Sequence, residues 1–503
     1  MRERIPRRRR KVAARSPEDS SSPELFAGGY AAALARLEKE LRDCPDLVRR
    51  RLTLQGGKEA TLFFLDGLVD RDLLQRDLLG FLSAAPEAVL TDPSSLPVAE
   101  WKEETTLAGA VERLFYGFVL LVVEEWPYAL AFALKGWKER SLEEPQVERN
   151  IRGAHEGFTE DLGTNMALLR RRLRTPQLKF HLVKLGERVS SRVCLAYLED
   201  LACPELLDRL KGRLARVDLD AVQFPSYLEQ LTAEHPFSPF PQYETTERPD
   251  KAAAALLEGR VVVLLDGAPG SLLIPANFFQ FFQAPDDYNM SWVVASTIRF
   301  FRILAVFLAI LLPSFYVALL TFHYEAIPWS LLLPLVAART KVPLPPVMEA
   351  FFMAFIIELI FEAAVRLPSY IGQVIGIVGG LVIGQAIVAA GIVSNVMVII
   401  IGVTAVANFA VPAHEMSLAM RFIRFPIMLL SALFGIVGLL VGGSLLLTHL
   451  LGLESLGQPY FSPLAPFRPE NLKDAFVRGP LTAQGPRPRV TRPLDPYRGK
   501  GRR

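Results

Sequence analysis

Up to about Met290, apolar residues recur in short runs broken by charges; beyond it they merge into stretches longer than a soluble element needs. ATLFFLD from Ala60 reads as a strand, and RDLLQRDLLGFL from Arg71 as an amphipathic helix with leucines at helical spacing. After a Pro-rich loop, TLAGAVERLFYG reads as a helix, and VLLVVEE and YALAFAL as a hairpin of two largely buried strands around Trp126-Pro127. From Arg192 the order recurs. RVCLAYLED is strand-like, PELLDRLKGRL and KAAAALLEG are helical, and RVVVLLD pairs with SLLIP across the turn from Asp266 to Gly270. Gly117 and Gly259 stand at matching places. The pattern predicts two similar α/β subdomains, residues 56–150 and 176–290. A connecting helix within 151–175 has acids near its start and arginines in its last turns, as the helix dipole prefers.

From Leu367 to His414 there is no Asp, Glu, Lys or Arg. A hydrocarbon core about 30 Å thick needs roughly 20 apolar helical residues, so this run alone is long enough for two crossings. Spans are expected at 298–322, 347–365, 371–393 and 426–450, with a shorter one at 396–411 and a re-entrant or interfacial piece at 327–338. The expected architecture is an α+β soluble head followed by an α-helical transmembrane bundle, residues 291–455, of about five or six spans. Residues 1–55 read as a disordered basic arm with a leading helix, and residues 456–503 as a Pro/Arg-rich tail.

Charge and composition change this picture little, because 22% charged residues and a net charge of +3 average two unlike halves. Cys44, Cys194 and Cys203 have no zinc-like spacing and read as reduced thiols. Gly56-Gly57-Lys58 lacks the spacing of a phosphate loop, the six histidines are scattered, and Arg170 to Arg172 have no aromatic platform beside them. These features argue against an enzyme, a cofactor, a metal site and a nucleic-acid partner.

Two features lie at lipid depth. Glu358, Glu362 and Arg366 stand at i, i+4 and i+8, one charged stripe that must face protein or water: a salt-bridge ladder or the lining of an aqueous path. Gly372, Gly376, Gly380 and Gly384 put a glycine face on a single helix, suited to close packing within one subunit or between identical helices around an axis. Gln373 and Gln385 add polar groups, and Ile375, Ile377 and Val378 add apolar positions able to gate by dewetting. With Gly376, Gly380 and Gly384 these are the candidate pore-lining residues.

EEPQVERNIRGAHEGFTEDLGTNMALLRRRLRTPQLK, from Glu143 to Lys179, closely resembles the signature of the A subunit of bacterial spore germination receptors, the GerA family. So do HPFSPFPQYETTERPDKAAAALLEGRVVVLLDG, QFFQAPDDY, LPSYIGQVIGIVGGLVIGQAIVAAGIVS and GQPYFSPLAPF, and the likeness covers roughly residues 56–477. Ala154-His155 departs from the family's Pro-Arg. The motif residues Arg152, Gly153, Glu156, Gly157, Asp161, Asn165, Arg170, Arg171 and Arg172 mix turns, acids and arginines, which suits ion-paired contacts between subdomains or subunits. The resemblance implies a multi-pass protein of the spore inner membrane with its head on the cytosolic side. It also implies a transporter-like B subunit and a lipoprotein C subunit as partners, and a homo-oligomeric, pentameric ring that releases monovalent cations when nutrient is sensed. A non-conducting scaffold and a relative acting with the dipicolinate-release machinery stand as alternatives.

Overall fold

The computed structural model describes residues 24–54, 57–84, 100–136, 154–366, 384–480 and 485–499, with positions 98, 145, 148, 380 and 382. The chain divides into two compact units, residues 1–141 with 163–181, and residues 142–162 with 182–503.

The first unit is built on β1 (Leu47–Thr53), β2 (Glu59–Leu65), β3 (Trp101–Glu104), β4 (Phe118–Val123) and β5 (Ala129–Ala133), in the order β1-β2-β4-β5-β3. β4 is buried along its whole length, so both faces of the sheet need cover. Helices Tyr30–Glu40 and Leu107–Phe115 supply it on the face of Phe63, Leu65, Leu120 and Val122. Leu74, Leu78 and Leu82 supply it on the face of Leu62, Phe64 and Leu121. Each such side chain contributes about 1.5–3 kcal/mol when fully buried. Thr106 starts its helix by accepting from the Gly109 N–H at 3.2 Å, and Gly117, at φ 81°, turns the chain out of it into β4. The expected domain boundary at 55 and 56 falls inside the β1–β2 hairpin, so β1, with its exposed Arg49 to Arg51, is part of the sheet rather than of a basic arm.

The second sheet repeats that order as β6-β7-β9-β10-β8, from β6 (Leu178–Leu185), β7 (Ser191–Leu198), β8 (Glu244–Thr246), β9 (Val261–Leu265) and β10 (Ser271–Ile274). Gly259, at φ 85°, leads helix Pro249–Leu257 into β9 as Gly117 does for β4. The two subdomains are similar in strand order, as the repeated pattern predicted.

Among the described residues, the head is followed by α-helices Trp292–Phe322, Trp329–Arg339, Pro346–Arg366, Gly384–Ala389 and Asn395–Phe409. A helical segment His414–Gly452 completes the bundle. Among the described residues, Trp292–Phe322 and His414–Gly452 are long and apolar enough to cross a membrane; Pro346–Arg366 has the length but carries Glu349, Glu358, Glu362 and Arg366. Phe300, Phe307, Phe422, Leu433 and Leu440 are all more than half exposed, an apolar outer surface that water does not favour and lipid does.

His414–Gly452 is not one straight rod. Gly435 leaves helical geometry at φ 64°, ψ −139°. A Cβ on Gly438 would overlap the Leu430 carbonyl, and one on Gly442 would touch Leu430 and Ile427 at 3.3–3.5 Å. In a continuous helix Leu430 and Gly438 would be about 12 Å apart. Residues 414–434 and 436–452 therefore form a tight helical hairpin whose tip, Gly435, lies against Phe322 and His323. The expected single span at 426–450 is corrected accordingly, because only glycine tolerates both the Gly435 backbone and the close approach at Gly438.

The hairpin returns the chain to the head. Beyond it the tail is folded onto the second subdomain: Ser455 Oγ donates to Gln242 O at 2.7 Å, Tyr460 Oη to Pro241 O at 2.7 Å and Thr491 Oγ1 to Glu258 O at 2.6 Å. Two of its arginines bind backbone carbonyls, Arg487 Nε to Leu257 O at 2.9 Å and Arg478 Nη2 to Tyr288 O at 3.2 Å, and Arg498 pairs with Glu258 at 2.6 Å.

Candidate functional site

The charged stripe divides in two. Glu358 faces inward and accepts from Arg421 Nε at 2.8 Å and from Arg424 Nη2 at 2.8 Å, joining helix Pro346–Arg366 to the hairpin. Arg421 lies over the Phe361 ring at 5.0 Å and Arg424 over Phe425 at 5.4 Å. Glu362 and Arg366 pair with each other at 2.5 Å on the exposed side of the helix. The three residues are thus not one continuous ladder: the second helix brings two arginines to Glu358 and none to Glu362. One carboxylate and two guanidiniums leave this cluster net positive in a medium of low dielectric, which opposes passage of a cation through it.

A second buried cluster was not anticipated. Glu349, wholly buried, accepts from the Ser394 N–H and lies 3.5 Å from Arg339 Nη1, beside the buried Tyr316. Ser394 also caps its own helix, taking the Met397 N–H at 3.2 Å. A lone acid and a lone arginine flanking apolar segments were the available signal.

Of the candidate pore residues, Gln373, Ile375, Gly376, Ile377 and Val378 lie outside the described residues. Gly380 and Gln385 are exposed and Gly384 half-buried, and a Cβ at Gly380 or Gly384 would meet nothing within 4 Å. This helix ends before the expected Val393. Gly391, at φ 70°, donates to Val388 O at 2.9 Å while Ile392 N donates to Ile387 O at 3.1 Å, a glycine stop that leads to the Ser394 cap.

Where the head meets the first long helix, Asp287 of the QFFQAPDDY string holds Arg299 at 3.3 Å and Arg302 at 2.8 Å. Arg299 also binds the Asp474 carbonyl and, at 3.3 Å, its carboxylate. Arg299 and Asp287 are almost fully buried, so this knot ties the 278–289 segment, the first membrane helix and the tail together.

The GerA-like motif straddles the two units in sequence. Arg152 and Gly153 lie outside the described residues. Within the second unit, buried Gly157 precedes Phe158, whose N–H donates to Glu247 O at 2.7 Å, and Gly267 N donates to Glu160 O at 2.8 Å. Glu156 is half-buried and Asp161 exposed. Within the first, Asn165 and Arg170 are fully buried and Arg171 and Arg172 half-buried. Arg170 grips Asp46 with two bonds of 2.8 and 3.0 Å, donates to Leu178 O at 2.6 Å and is sandwiched by Phe180 and Phe115 at 4.5 and 5.2 Å. Burial works against its charge, yet Asp46 holds its pKa above the ordinary value. Burial also pushes the neighbouring Cys44 thiol up, which suits an inert side chain.

A family model described as "Bacillus/Clostridium GerA spore germination protein" matches residues 35–490. The chain is 37% identical over 497 residues to "Spore germination protein KA" of Bacillus subtilis (strain 168), covering 97% of this chain and 91% of that one. It is 36% identical over 476 residues to "Spore germination protein GerLA" of Bacillus cereus, covering 93% and 96%. It is 37% identical over 450 residues to the "Uncharacterized membrane protein YfkQ" of Bacillus subtilis (strain 168), with 88% of each covered. Among solved structures, the N-terminal domain of the A subunit of the Bacillus megaterium spore germinant receptor GerK3 aligns with a TM-score of 0.39 and 24% identity. That alignment spans 51% of this chain and 98% of that one.

Proposed function

We propose that this chain, which belongs to the GerA family of spore germination proteins and takes the A-subunit role in a germinant receptor, forms an oligomeric, nutrient-gated path for monovalent cations in the spore inner membrane. The observation that carries this reading is the open space at two positions of the glycine repeat. Among the described residues nothing approaches a Cβ at Gly380 or Gly384, so a neighbouring copy is the natural occupant. The net positive Glu358 cluster adds a second reason to place the path between copies rather than inside one bundle. The 371–393 segment then borders the axis of a ring, a pentamer by family resemblance, with Gln373 and Gln385 as polar positions and Ile375, Ile377 and Val378 as apolar constrictions. A transporter-like B subunit senses nutrient, a lipoprotein C subunit accompanies it, and the cytosolic head passes movement to the first helix through the Asp287–Arg299 knot.

Cysteines placed one at a time at positions 373–385 and probed with a water-soluble thiol reagent test the reading. Accessibility that changes on nutrient addition is expected, with Gly380→Leu lowering assembly. Uniform protection in resting and activated states moves the path elsewhere, and absence of ion flux from vesicles holding the full receptor leaves a scaffold instead.

A further inference from the structure

Phe237 is completely exposed, which forgoes the roughly 1.5–3 kcal/mol that burying such a side chain gains. It does not sit on a loose strand of chain. Ser238 N donates to His235 O at 3.0 Å, and the Gln242 side chain accepts from the Glu234 and His235 N–H groups at 3.0 and 3.1 Å while donating to His235 O at 2.6 Å. Pro236 and Pro239 stiffen the loop on both sides of Phe237, and Phe240 is buried beneath it. An ordered loop that holds out an aromatic ring is built to meet something.

Its neighbours say what. Ser238 Oγ hydrogen-bonds His449 Nε2 at 2.9 Å, and the Phe240 ring lies 6.0 Å from the His449 ring. His449 sits in the last turn of the helical hairpin, flanked by exposed Leu445, Leu447 and Leu451. The loop is therefore continuous with the lipid-facing surface, at the level where the hairpin leaves the bilayer. In the preceding helix, Pro225–Thr232, Tyr227 and Leu231 are exposed four residues apart and so on one helical face, and Phe224, the extended residue before the helix, is exposed too.

We propose that the 235–239 loop is a membrane foot of the second α/β subdomain, with Phe237 seated in the headgroup region of the bilayer beside the hairpin. Aromatic rings are favoured at that depth, and the lost burial of Phe237 is recovered in lipid. The foot fixes the height of the head over the membrane, whether or not the chain conducts ions.

The test uses the full chain in phosphatidylglycerol–phosphatidylcholine vesicles, with an environment-sensitive nitrobenzoxadiazole dye on Phe237→Cys. Cys44, Cys194 and Cys203 are buried and give little background. Expected are a several-fold rise in emission over the same dye on Arg50→Cys, at an exposed edge-strand position, and quenching by lipids with a nitroxide near the headgroup. Pro236→Cys gives the same readout if Phe237→Cys is poorly folded. Aqueous emission equal to that at position 50 overturns the proposal. So does bright emission that nitroxide lipids leave unquenched while the cysteine cross-links two copies, which would make the loop a contact between chains.

Discussion

Arg170 in the head and Arg424 in the membrane bundle are both withdrawn from water, and they are satisfied in opposite ways. Arg170 has a bidentate grip on Asp46, a carbonyl at Leu178 and an aromatic ring on each face. Arg424 shares Glu358 with Arg421, rests on a single ring, and its Nε meets no acceptor among the described residues. A fully satisfied buried charge holds one geometry, because every alternative loses several bonds at once. A shared one can be repartitioned between two partners at small cost. The head cluster suits a rigid organiser and the bundle cluster suits a joint that moves.

The largest effect that this contrast predicts is at Asp46. Asp46→Ala leaves Arg170 buried without its counter-charge and should cost about 3–5 kcal/mol, read as a large loss of thermal stability of the purified chain. An unchanged unfolding midpoint would show that the Arg170 site is not the organiser of the first unit.

Glu358→Gln should cost less, on the order of 2 kcal/mol, because Glu358 and Arg421 keep partial access to solvent and the amide still accepts one bond. Its more telling readout is functional. If the cluster is a joint, vesicles holding receptor with this substitution should leak cations, or respond to nutrient, differently from wild type even where the protein remains folded. A change in stability alone would make the cluster a second rigid organiser and erase the contrast.

The smallest effect sharpens the same comparison within the second subdomain. Glu229 accepts backbone N–H groups from Gln242 and Tyr243 at 3.0 and 3.2 Å but is largely withdrawn from water, and that withdrawal raises its pKa. An acid with a raised folded pKa favours the fold most when protonated, so wild-type stability falls as pH climbs from the ordinary glutamate range through the folded value. Glu229→Gln keeps an acceptor for both N–H groups and removes the charge. It should be slightly more stable than wild type at neutral pH, with the gain vanishing in acid; a gain independent of pH would exclude this cause.

All six strands legible from the chain, β2, β4, β5, β7, β9 and β10, are interior strands of the two sheets. The four that were not legible, β1, β3, β6 and β8, are the four edges. Interior strands carry apolar runs such as FVLLVV, because both faces are covered. Edge strands such as LVRRRLT and WKEE are charged, which guards an unpaired edge against further pairing and hides the strand from an apolar pattern. The repeated strand order needed only the interior strands and the two glycines. Of the candidate site, the isolated charges at lipid depth were visible as anomalies, but their partners were not: Arg421 is 63 residues from Glu358, and Ser394 is 45 from Glu349.

The sequence by itself therefore determined the class of the protein: an α/β head of two like subdomains, an apolar helical region, and a family whose signature strings run through both. These properties are written in local composition and spacing, where hydrophobic periodicity and runs of missing charge act over a few to a few tens of residues. Tertiary structure alone decided the rest. Gly435 became a hairpin tip instead of a mid-span glycine, an Arg-rich tail became part of the second subdomain, and Glu358 turned to the hairpin while Glu362 turned outward. Each outcome depends on which distant backbone comes close enough to satisfy a charge or to forbid a Cβ, and no local pattern carries that distance.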